Sequence, residues 1–197
     1  KNYVYGPRGG GIMGILWETD GVIFPYTPSL NISQAVTYNS YNPLHANQDF
    51  QIYHGTPSFA FVVSGEFTVQ NQRERQYAIA VIQFLRSVSK MRFGETDDMR
   101  GTPPPMLLFS AYGNLMFNDL PVILTQYSIE FPQGIDYVRY KGGQSQNSLI
   151  DGEAWLPAKF NITVNLTHQK SPEQHRKEFN WTDFRDGKLL QRGGGWW

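Results

Sequence analysis

FTVQNQRERQYAIAVIQFLRSVSKMRFG, Phe67 to Gly94, is the one stretch of this chain in which apolar residues return with a helical period. Tyr77, Val81, Phe84, Leu85 and Val88 follow at spacings of four, three, one and three, which places them on one stripe of a 3.6-residue helix. Asn71 with Glu74 three residues on reads as an N-cap with a reciprocal partner, and Gly94 after Lys90 and Arg92 reads as a stop. The prediction is one long helix over about 71–93. Sequence on both sides of it is strand-like, so the stripe is expected to lie on a sheet.

A length of 197 residues suits one domain with an appended arm, and is enough to bury a core without covalent staples. The chain has no Cys, which removes thiolate nucleophiles, Cys-based metal sites and disulfides together. Lys plus Arg and Asp plus Glu are both 17, so no net field attracts nucleic acid or an acidic membrane. At 17% the charged fraction is low, which fits a surface covered by other subunits. No apolar run approaches the ~20 residues of a membrane span, and the chain is read as soluble. It opens on Lys1 rather than Met, as a processed chain or a part of a longer one would.

Three regions are expected: an arm or linker at 1–11, a β domain at 12–168 and a C-terminal extension at 169–197. Gly9, Gly11 and Gly14 match G-x-G-x-x-G in form only, because neither a strand before them nor a helix after them is expected. Ile12–Trp17 and Val22–Tyr26 flank Asp20-Gly21 and predict a β-hairpin. Ile32–Tyr38 continues the strand pattern. Residues 39–58, rich in Asn, Gln, Tyr, His and Pro, read as a long loop of the kind that mates with a partner, with Tyr41 and His45 as its contact residues.

Phe59–Val69 alternates Phe59, Phe61 and Val63 on one face, with Gly65 at an expected bulge. Met106–Ala111 and Leu115–Phe117 read as strands, Asn118-Asp119 as a turn, and Pro121–Phe131 as a long strand with which Ile135–Tyr140 pairs. Ile123, Thr125, Tyr127, Ile129 and Phe131 are expected to face the core. Gly142–Asp151 reads as a loop. Ala158–Thr167 alternates most regularly, with Phe160, Ile162, Val164 and Leu166 opposite Lys159, Asn161, Thr163, Asn165 and Thr167. Trp196 and Trp197, on a triple-Gly tether, suit an anchor in a partner's pocket.

Motifs for chemistry are missing from this pattern. His45, His54, His168 and His175 share no metal-ligand spacing, no G-x-S-x-G is present, and the acidic turn Glu95–Asp98 lacks the spacing of a calcium loop. The chain is therefore read as a non-enzyme that needs no cofactor and no metal. Asn31, Asn161, Asn165 and Asn180 begin N-x-[ST] sequons, but strand faces built of Asn and Thr generate these without glycosylation.

Three pieces, Phe67–Glu95, Gly101–Phe131 (GTPPPMLLFSAYGNLMFNDLPVILTQYSIEF) and Leu156–Thr167 (LPAKFNITVNLT), resemble in their order the tube-initiator proteins of contractile bacteriophage tails. The resemblance implies a tail-tube fold: an antiparallel β-sandwich or half-barrel with one helix, six copies of which close into a ring. It implies a structural virion protein of the baseplate that starts the tail tube, assembled in the host cytoplasm. Its partners would be its own copies, the tail-tube protein or a second initiator, and the central hub and tape-measure protein, with DNA only in transit. In such a ring one sheet looks inward, and the lumen-facing residues are then expected to be Gln126, Ser128, Glu130, Lys159, Asn161, Thr163, Asn165 and Thr167. The competing readings are a soluble β-sandwich module that binds a carbohydrate or other ligand, and a β-rich hydrolase.

Overall fold

The computed structural model describes residues 11–113, 115–141, 152–171, 173, 176–177 and 179–190. The chain is mainly β, with a curled antiparallel half-barrel sheet. Its strands run in the order β1 (Ser29–Ser33), β4 (Ala60–Thr68), β9 (Lys159–His168), β6 (Phe117–Glu130) and β5 (Leu107–Ala111). Two further pairs, β2 (Thr37–Tyr41) with β3 (Phe50–Gly55) and β7 (Tyr137–Lys141) with β8 (Glu153–Pro157), form separate two-stranded sheets. Contacts divide the chain into two compact units, one within Lys1–Leu30, Val63–Pro105 and Leu124–Val164, the other within Asn31–Val62, Met106–Ile123 and Asn165–Trp197.

In the first unit the N-terminal apolar run is helical, not a strand. Ile12–Ile15 forms a 3-10 turn that continues into α1 (Leu16–Thr19). Asp20 then adopts the left-handed conformation at φ 57°, and the Gly21 N–H bonds the Leu16 carbonyl at 3.2 Å. Asp-Gly supplies positive φ to a helix stop as readily as to a hairpin turn, so the dipeptide alone could not choose between them. Residues 22–28 form no strand, and Phe24 packs its ring on Phe67 at 5.3 Å.

The central helix, α2, runs from Gln72 to Val88, 17 residues, and stops five residues before the expected end. Its start follows the sequence reading: the Asn71 side chain accepts the Glu74 N–H at 2.9 Å, while Glu74 accepts the Gln70 N–H at 2.8 Å. At the other end Ser87 and Ser89 donate their hydroxyls to the Gln83 and Arg86 carbonyls, offering the backbone an alternative to further turns. Beyond them Arg92 exchanges backbone hydrogen bonds with Gly101 and Thr102 and pairs its side chain with Asp97 at 2.8 Å. Ala78, Ala80, Val81, Phe84, Leu85 and Val88 are buried, while Tyr77 of the expected stripe is half-buried. α2 packs on the 3-10 turn and α1 and touches β7. The Tyr77 hydroxyl, at the N-terminal end of this face, accepts the Ile23 N–H at 2.7 Å.

β4 runs without interruption through Gly65. A Cβ at Gly65 would lie 2.3 Å from Phe24 Cδ1, and the glycine is there to let that ring approach the strand. Phe67 stacks on Phe160 of β9 at 5.6 Å on the same buried face. β7 pairs with β8, Val138 opposite Leu156, rather than with the long strand.

In the second unit Phe61 meets Phe109 at 4.8 Å and Phe117 at 6.0 Å, and Phe59 stacks on Phe61 at 5.7 Å. Asn118-Asp119 is not a turn between strands. It lies within β6, where Asp119 has φ 50° and the register against β5 shifts, and where it is fixed by Ser110, whose hydroxyl accepts the Asp119 N–H at 3.0 Å. This bulge precedes Pro121, which has no N–H to give to a ladder. After β9, α3 (Trp181–Arg185) is capped by Asn180, which accepts the Thr182 N–H at 2.9 Å.

Candidate functional site

The region read as a long loop, 39–58, is mostly a β-hairpin. β2 and β3 pair with Tyr38 opposite Tyr53, Asn39 opposite Ile52, Ser40 opposite Gln51 and Tyr41 opposite Phe50, and a register shift follows Thr37. Opposed residues share a face, so Tyr38 and Tyr53 occupy one side and Ile52, Tyr41 and Phe50 the other. Both sides are open: every residue of the two strands is exposed except the half-buried Gly55. The five large side chains are 52–59% exposed, and Leu44 in the connection is 92% exposed.

Local chemistry explains the hairpin's shape. The Tyr38 and Tyr53 rings meet edge to face at 5.9 Å, a favourable cross-strand aromatic pair. Asp49 accepts hydrogen bonds from the Ser40 hydroxyl and the Gln51 amide, both at 2.6 Å, and the Ser40 bond above all holds its carboxyl below the usual range. Asp49 is the only formally charged residue in Asn31–Val62, and no Lys or Arg stands between Arg8 and Arg73. The surface presented is therefore aromatic, amide-rich and nearly neutral.

Tyr41 and His45 both lie on this hairpin, Tyr41 at the end of β2 and His45 in the connection with φ 62°. Trp196, Trp197 and the loop reading at 142–151 lie outside the described residues. Tyr38, Phe50, Ile52 and Tyr53 belong to the same surface but were not singled out in the sequence. Large side chains recur in Tyr38–Tyr41 and Phe50–Tyr53 without a regular alternation, among the surrounding Asn, Gln and Pro.

The eight residues expected to line a lumen lie on β6 and β9. Gln126, Ser128, Glu130 and Lys159 are exposed, whereas Asn161, Thr163, Asn165 and Thr167 are half-buried. On β9 the opposite face is buried throughout, as its alternation indicates. On β6 it is not: Ile123, Tyr127 and Ile129 are half-buried, Thr125 and Phe131 are exposed, and Phe117, Leu120 and Val122 carry the burial instead. The more buried side of β6 thus changes between Val122 and Tyr127, and no single face runs along the strand. In the first unit the polar side of β9 is knitted to β4, with Thr163 and Ser64 hydroxyls 2.9 Å apart and Lys159 paired to Glu66 at 2.6 Å.

Among the described residues no cluster of three or more His, Cys, Asp or Glu could hold a metal ion, and no helix is long and apolar enough to cross a membrane. Comparison with protein-family models and with curated proteins found no match in either.

Proposed function

We propose that this protein is a structural subunit that closes into a ring of identical copies, of the tube-initiator kind in contractile phage tails. The observation that carries this reading is the β2–β3 hairpin. A two-stranded hairpin is marginal at best in water on its own, and this one exposes aromatic side chains on both faces. Each large aromatic offers ~150–250 Å² of burial, so four aromatics and Ile52, all about half exposed, present on the order of 500 Å². That is more than half of the ~800 Å² per partner of a standard interface. A neutral aromatic arm suits a copy of the same neutral chain better than an acidic or basic partner. Ring closure also covers strand edges that would otherwise pair without limit.

In this reading the hub, the tape-measure protein and the next tube ring are the axial neighbours, and the polar residues of β6 and β9 face the channel. The test is the pair of substitutions Phe50→Asp and Ile52→Asp in one chain. Both side chains are exposed, so the variant should keep the parent's circular dichroism and melting temperature while losing assembly. A variant that assembles like the parent would contradict the hairpin's role.

A second reading, a carbohydrate-binding module, is favoured by one other observation. Tyr137 and Trp155 are exposed on the same face of β7–β8, and Arg139 lies 5.8 Å over the indole. Glycan binding by a stable monomer, lost in Trp155→Ala, would support it over the ring.

A further inference from the structure

His168 is the one buried polar or charged residue among those described, 4% exposed at the end of β9. Its ring stacks on Phe59 at 5.2 Å and 12°, at the end of the aromatic series that continues through Phe61 to Phe109 and Phe117. Its Nε2 is buried with no hydrogen-bond partner. The backbone closes the same junction: the His168 N–H bonds the Phe59 carbonyl at 3.1 Å, and the Gln169 N–H bonds the Pro121 carbonyl at 3.0 Å. A buried, unpartnered ring nitrogen stacked on Phe59 is tolerable only while the ring is neutral.

We propose that this junction is an acid-released latch: the neutral His168 ring holds the end of β9 against Phe59, and its protonation opens the contact and frees the chain that follows. The latch is independent of the ring-assembly reading. The segments that meet here, 57–61, 120–122 and 166–169, contain no charged residue apart from His168 itself. On β6 the nearest acid in sequence, Asp119, is engaged by Ser110. Burial, and then the positive charge of Lys170, push the imidazole down to about 4. An unfolded histidine titrates near 6.5, so the folded state holds the neutral form more tightly. The stability this contributes is complete above pH ~6.5, is lost progressively as pH falls toward 4, and changes no further below that. At pH 4.5 the linkage amounts to about an 80-fold loss in the folding equilibrium.

The experiment compares urea unfolding of the parent chain and His168→Phe at pH 7.5 and 4.5, with hydrogen exchange at the amides of 168 and 169. Phenylalanine keeps the stack and cannot be protonated. The other titrating groups are common to both chains and cancel in the difference. The parent should lose about 80-fold more than the variant between the two pH values, and its two amides should open faster than the variant's at pH 4.5. Equal losses would overturn the proposal. Should His168→Phe fail to fold, the ring proton of His168 in the parent decides by NMR: a midpoint near 4 supports the latch and one near 6.5 overturns it.

Discussion

Replacing Gly65 by Ala sets two effects of opposite sign against each other. A glycine within a strand ordinarily costs roughly 0.5–1 kcal/mol relative to Ala, so the substitution should stabilise wherever there is room. Here the new methyl would lie 2.3 Å from Phe24 Cδ1, 2.8 Å from Cε1 and 3.2 Å from Pro28 Cβ, well inside contact distance. Overpacking of this kind costs ~1–3 kcal/mol. Phe24 cannot retreat freely, because its ring rests on Phe67, a contact worth ~0.5–1.5 kcal/mol beyond area burial. The clash outweighs the backbone gain, and Gly65→Ala should lower stability by about 1–2 kcal/mol. Urea midpoints of the parent, Gly65→Ala, Phe24→Ala and the double variant provide the assay. With Phe24 removed, the same Gly65→Ala step should become neutral or stabilising, a coupling of at least ~1 kcal/mol. If Gly65→Ala stabilises the parent chain, or the two changes are additive, Phe24 does not lie over the strand and the packing of this face has been misassigned.

Three further perturbations have definite expectations. Leu85→Ala empties a site buried on α2 and should cost ~2–5 kcal/mol in a chemical melt; a melt within error of the parent would mean that the helix faces another way. Asn71→Ala removes the cap of α2 and should cost ~1 kcal/mol, whereas Asn71→Asp, which retains an acceptor for the Glu74 N–H, should cost much less. Because the chain has no Cys of its own, Thr163→Cys introduces a single thiol on the polar side of β9. It should react with a small reagent in open rings but be closed to a bulky one in capped tails, and bulky labelling of assembled tails would put this face on the outside.

On β9 and α2 the structure follows the period in the sequence, whereas on β6 it does not. β9 alternates residue by residue, and the stripe of α2 with its Asn71 cap lies where the spacing puts it. Two of the failures share a physical cause, which is local chemistry that fits two structures equally well. Asp20-Gly21 serves a helix stop as well as a hairpin turn, and the apolar run before it is too short to reveal its period. Asn118-Asp119 looks like a turn because both residues tolerate positive φ, and a bulge uses the same tolerance inside a strand. The hairpin at 37–55 was illegible for a different reason. Burial is what imprints alternation on a strand, and a hairpin open on both faces has no buried side to impose it. The candidate surface was thus visible as a region, through Tyr41 and His45, but not as a structure.

The mass of the purified particle decides whether this chain closes into the proposed ring. Six copies of a 22.6 kDa chain give about 136 kDa. Mass photometry across a dilution series should find a discrete species near that mass, or incorporation at the same stoichiometry into tail-like particles. A single species at the mass of one chain throughout the series, with no incorporation into such particles, would contradict the account.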